Sequence, residues 1–211
     1  MSTPKPKKIT GWHFAASTLR DGSPIPAKGT TLTHSGRVIL GNSGYHASER
    51  LIDALFYAHG PFVARVELSG TIVPHGGPTD KYAASERTNT TAYVNVSREL
   101  HLFACDEAER ALNTLPASGV DPRSREAIRV KRLWIDDKVT DEELAAAWDA
   151  AWAAAWAAAS AAAWHAAWAA ASAAASAAAW DAANAAAWDA ERAAANERLT
   201  AVIVKALEDR E

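Results

Sequence analysis

From Leu144 to about Ala195 the chain is almost entirely alanine, interrupted every fourth residue by Trp148, Trp152, Trp156, Ser160, Trp164, Trp168, Ser172, Ser176, Trp180, Asn184, Trp188 and Arg192. Alanine is the strongest helix former, and no glycine or proline breaks the run, so one long helix is expected over 140–211. Its start is written in Thr140 and the acids Asp141, Glu142 and Glu143, a capping box that places negative charge on the positive end of the helix dipole.

A four-residue step overshoots a full helical turn by about 40°, so the tryptophans wind around the helix instead of lining one face. A straight seam would need a supercoil with a pitch near ~54 Å, far tighter than the ~150 Å of two-stranded coiled coils. Seven of the nine tryptophans fall in this stretch. Burying them would remove on the order of 1,000 Å² from water, worth roughly 25 kcal/mol as an upper bound. A bare rod would expose more apolar surface than monomers tolerate, so self-association or docking of a helical protein partner is expected. The interaction residues are then Trp148, Trp152, Trp156, Trp164, Trp168, Trp180 and Trp188. Leu199, Val202 and Ile203 add an ordinary amphipathic stripe near the end.

The remaining 140 or so residues bound the rest. A formal net charge of −3 gives no global pull toward nucleic acid or an anionic membrane. The single cysteine, Cys105, precludes an internal disulfide, fits a reducing cytoplasm, and falls on the buried side of a helical pattern. Residues 1–8 carry three lysines and two prolines and read as a disordered tail, not a leader. The apolar run at 150–179 is long enough to span a bilayer, but its tryptophans run through the middle and Asp149 and Asp181 flank it, which argues against a membrane helix.

Residues 9–115 read as an α+β domain with a small, mostly antiparallel sheet and packed helices, followed by a linker and short helix over 116–139. Strands are expected at Ile9–Phe14, Arg37–Leu40, Phe62–Leu68 and through the β-leaning run 82–96, with Ser69-Gly70 turning the chain. Ser48 is placed to cap a helix to about Ala58 that buries Leu51, Ile52, Leu55 and Phe56 against the sheet. Helices follow from Arg98 and over 123–135. In the second, Arg125, Arg129 and Arg132 share one face, which reads as salt-bridged given Glu126, Asp136 and Asp137 nearby.

Three segments carry a resemblance: Gly11-Trp12-His13-Phe14 as an opening strand, Gly44 to Ser48 as a Gly-x-His-Ala-Ser stretch, and Asp80-Lys81 after a strand. With the Ala/Trp tract they resemble a family of uncharacterised proteins of actinobacteria and their phages, which implies a phage-related protein in the host cytoplasm. A weaker similarity is to ADP-ribosyltransferases of the His-Tyr-Glu type. It implies that His13 would bind a ribose of NAD, that His46 would stand at the expected tyrosine, that Tyr57 would serve the nicotinamide site, and that Glu86 would stabilise the charge developing at the anomeric carbon.

No histidine or cysteine spacing suggests a metal site, and Gly76-Gly77-Pro78 lacks the lysine and helix start of a phosphate loop. The leading expectation is a non-catalytic interaction or self-assembly protein with no cofactor. The alternatives are an NAD-binding enzyme using His13, His46, Tyr57 and Glu86, and a phage-encoded inhibitor of a host protein.

Overall fold

The computed structural model describes residues 8–76, 79–114, 121–153 and 177–210. The chain divides into two compact units: Met1–Glu99 together with Ala194–Glu211, and Leu100–Ala193.

The first unit is built on a six-stranded antiparallel sheet: β1 (Ile9–Ala15), β2 (Thr31–Thr33), β3 (Tyr45–Ala47), β4 (Phe62–Pro74), β5 (Tyr82–Asn89) and β6 (Val94–Asn95). The path is β1-β4-β5-β2, with β3 also on β5 and β6 also on β4. Beyond β3, Ser48 exchanges two backbone hydrogen bonds with Trp12, at 2.8 and 3.1 Å, so the outer edge of β1 is tied to the end of β3. The sheet therefore curls back on itself. Gly11 permits this closure, because a Cβ there would stand 2.7 Å from the Ser48 carbonyl oxygen.

Alternation along β1 and β4 places Ile9, Ala64, Val66 and Leu68 with Ala47 and Ala84 in one core cluster. The expected strand at Phe62–Leu68 is present and runs on to Pro74. Ser69-Gly70 does not turn the chain but forms a bulge, where the register against β5 shifts between Ser69 and Ile72. Gly70 takes φ +74°, and a Cβ would collide with Ser85 Oγ at 2.2 Å. One other expectation is corrected. Arg37–Leu40 holds only an isolated bridge from Ile39 to Ser43, while strands form at Thr31–Thr33 and Tyr45–Ala47, where pairing with β5 is available.

Helix α1 (Leu51–Phe56) is shorter than expected. Ser48 does not cap it, since its backbone is committed to Trp12, and Arg50 in the N-cap position makes no side-chain cap. Instead Asn196 Oδ1, near the far end of the chain, accepts from Ile52 N at 3.1 Å. Of the four residues expected on its buried face, Leu51 is buried, Ile52 and Leu55 are half-buried, and Phe56 is 76% exposed. Helix α2 (Ser97–Asn113) begins in this unit.

In the second unit, α2 continues and carries the buried thiol of Cys105, whose pKa is raised by burial. Helix α3 (Pro122–Ile135) is capped by Asp121. Of its three arginines, Arg129 pairs with Glu126 as expected, Arg132 pairs with Asp106 and Glu109 of α2 instead of Asp136 or Asp137, and Arg125 donates to Asn113 Oδ1 at 3.0 Å. Helix α4 (residues 141–153) starts at the expected capping box, Thr140 N donating to Glu143 Oε2 at 2.9 Å and Glu143 N to Thr140 Oγ1 at 3.2 Å.

Helix α5 (Ala177–Glu208) runs from this unit into the first. The stretch 154–176, with Trp156, Trp164 and Trp168, lies outside the described residues, and so does the continuity of a single helix over 140–211. Within the first unit, Leu199, Ile203, Ala206 and Leu207 of α5 are buried and Val202 is half-buried, with Arg210 bonded to Asn95 O and Glu99 at the far end. The stripe read for pairing with another helix is thus occupied inside the chain's own sheet-bearing unit.

Candidate functional site

Directly opposed residues of an antiparallel pair share a sheet face. His13 lies opposite Ala64, and Leu68, on the same alternation as Ala64, lies opposite Arg87. Register alone therefore puts His13 and Arg87 on one face. Glu86 lies opposite Ser69, on the other face, and its Oε2 accepts from Ser69 Oγ at 2.7 Å.

Over the His13–Arg87 face the β1–β2 loop, residues 41–48 and the end of α1 enclose a cleft of about 970 Å³. His13, His46 and Tyr57, named from the sequence, all line it; Glu86 does not. The cleft is cationic. Arg20, Lys81 and Arg87 contribute to its described lining against one acid, Asp21, whose carboxylate accepts from Ser23 N and Oγ.

Arg87 is the unusual member. It is 2% exposed, yet among the described residues no carboxylate pairs with it. Nη1 donates to the His46 carbonyl at 3.3 Å, the guanidinium lies 5.4 Å from the centroid of the Tyr45 ring, and Nε is buried without a hydrogen-bond partner. Burial pushes its pKa down, but an arginine stays charged in any accessible pH range. A buried, half-satisfied cation is costly unless an anion completes it.

The histidines around it are held neutral. Burial, then the charge of Arg87, pushes His13 well below its ordinary value of 6.5. Its Nδ1 pairs with Tyr93 Oη at 2.6 Å, and burial raises the Tyr93 phenol, so the tyrosine keeps its proton. Burial, followed by Lys81, Arg87 and Arg20, lowers His46 to about 4, and its Nε2 accepts from Gly41 N at 3.2 Å. Neutral imidazoles beside a fixed guanidinium supply hydrogen bonds without adding charge.

At the rim, Tyr57 Oη donates to Asp80 Oδ2 at 2.7 Å, and Lys81 Nζ sits 3.8 Å over the Tyr57 ring. Asp80 also holds His75 Nδ1 at 2.8 Å. No group of three or more His, Cys, Asp or Glu residues able to hold a metal ion occurs among the described residues.

Sequence reasoning passed over Arg87 and Tyr93 and assigned Phe56 to the core, whereas it is exposed and lines the cleft. A single arginine in a β-leaning run has no spacing signature. The signal that was present is register: Arg87 stands at the same alternation as the buried Asn89, so it points inward. No family model, curated protein or solved structure matches the chain.

In the second unit Trp148 and Trp152 are 65% and 63% exposed. Trp180 and Trp188 lie on α5. No helix among the described residues is long and apolar enough to cross a membrane.

Proposed function

We propose that the sheet-bearing unit is a binding module for a small anionic ligand, seated in the cleft over Arg87. The observation that carries this reading is the buried guanidinium with no carboxylate partner among the described residues and an unbonded Nε. A phosphoryl or carboxylate oxygen would supply the missing charge and acceptor, and arginine suits both through its planar fork of donors. Lys81 and Arg20 add further positive charge to the lining. The reading stops at binding. ADP-ribosyl transfer would need a carboxylate facing His13 and Tyr57, and Glu86 is engaged by Ser69 on the opposite face.

Thermal unfolding in inorganic phosphate, against chloride at matched ionic strength, tests it. Ligand that binds only the folded chain raises the midpoint with concentration. The rise is expected in the native sequence, reduced in Lys81→Gln, and absent in Arg87→Met. No phosphate-specific rise in the native sequence would overturn the reading.

A second reading concerns the Ala/Trp stretch: a long helix that self-associates or docks a helical partner. The exposure of Trp148 and Trp152, one turn apart on α4, favours it.

A further inference from the structure

Beside the cation, the cleft carries an exposed aromatic group. Phe56 lines the cleft at the end of α1 and is 76% exposed, the most exposed large apolar side chain among the described residues. A lone exposed phenylalanine is ordinary on a protein surface. This one is fixed in place: it meets the Tyr57 ring edge to face, with centroids 5.1 Å apart and an interplanar angle of 89°. Tyr57 is itself clamped by Asp80 at its hydroxyl and by Lys81 over its ring. The platform is thus pre-organised, which lowers the ordering cost of stacking a ligand on it.

Two kinds of recognition group therefore line one cavity, a buried guanidinium on the sheet and a fixed aromatic at the rim, with Lys81 and Arg20 also in the lining. A bare anion would use the first and leave the second empty. A cleft of about 970 Å³ is at the upper end of the range for small-molecule sites, about 300–1,000 Å³, and exceeds what one phosphate fills. Several cations in the lining suit a ligand with more than one charged oxygen, and an exposed ring suits a flat heterocycle.

From this juxtaposition we infer that the ligand is a nucleotide, its phosphate against Arg87 and its base stacked on Phe56. The inference rests on the anion-binding reading above and adds the chemical class of the ligand.

Calorimetric titration of the full chain with adenosine monophosphate, adenosine, phenyl phosphate and inorganic phosphate tests it. The nucleotide is expected to bind at least tenfold more tightly than inorganic phosphate, phenyl phosphate or adenosine. Because base stacking on an aromatic ring accounts for a substantial part of affinity in sites of this kind, Phe56→Ala should lose about tenfold for the nucleotide and leave phosphate unchanged. Phe56 is exposed, so this variant keeps its fold. Arg87→Met should lose both ligands. Equal affinities for nucleotide and inorganic phosphate, or an unchanged nucleotide affinity in Phe56→Ala, overturn the nucleotide and leave the anion site standing. Equal affinities for nucleotide and phenyl phosphate replace the nucleotide with a simpler aromatic phosphate. Binding of neither phosphate nor nucleotide removes the anion site and the inference together.

Discussion

His46 joins the backbone of the cleft to its electrostatics. Its carbonyl accepts from Arg87, its ring accepts from Gly41, and burial with three nearby cations lowers its pKa to about 4. In the unfolded chain the same ring titrates near 6.5. Between those values the unfolded state takes up a proton that the folded state refuses. The stabilisation is therefore complete above about pH 6.5 and is lost as pH falls toward about 4, with a slope of at most ~1.4 kcal/mol per pH unit for each such histidine. His13, also pushed down, adds to the same trend. Urea denaturation from about pH 7 to about pH 4.5 should show a falling midpoint, shallower in His46→Gln. A flat profile in the native sequence would mean that these rings are not held neutral.

At the scale of elements, the end of α5 contributes to the core of the first unit. Leu199, Ile203 and Leu207 recur at helical spacing and are buried, Asn196 caps α1 in place of a local residue, and Arg210 ties the end to Asn95 and Glu99. Leu199→Ala is expected to cost about 2–5 kcal/mol through lost burial and a residual cavity, and Val202→Ala distinctly less because that side chain is only half-buried. Chemical denaturation measures both. The cost should not depend on protein concentration; a concentration-dependent loss would mean that the stripe pairs between chains. Gly11→Ala should also destabilise, since its Cβ would push Ser48 off Trp12 and open the curl of the sheet.

At the scale of the whole chain, Leu100–Ala193 is inserted between two parts of one compact unit. Under the self-association reading, light scattering behind size exclusion should give a multiple of 22.4 kDa for the native sequence and a lower mass for the Trp148→Ala/Trp152→Ala double variant. A monomer in both would remove self-association and leave docking of another protein to be tested.

Local rules made part of this protein legible in its residues. The alternation of Phe62 to Leu68, the Thr140–Glu143 capping box, the helical placement of Cys105 and the Arg129–Glu126 pair of α3 depend on neighbours a few residues apart, where strand and helix periods act directly. Long-range closure decided the rest. Three-residue strands such as Thr31–Thr33 and Tyr45–Ala47 are too short to carry a period and form because β5 offers them partners. Phe56 reads as core on a helical wheel but is exposed, because α1 ends there. Glu86 and Arg87 are adjacent in sequence, and strand pairing sends them to opposite faces: one to a serine, the other into the lining of the cleft, where it is buried with no carboxylate partner among the described residues.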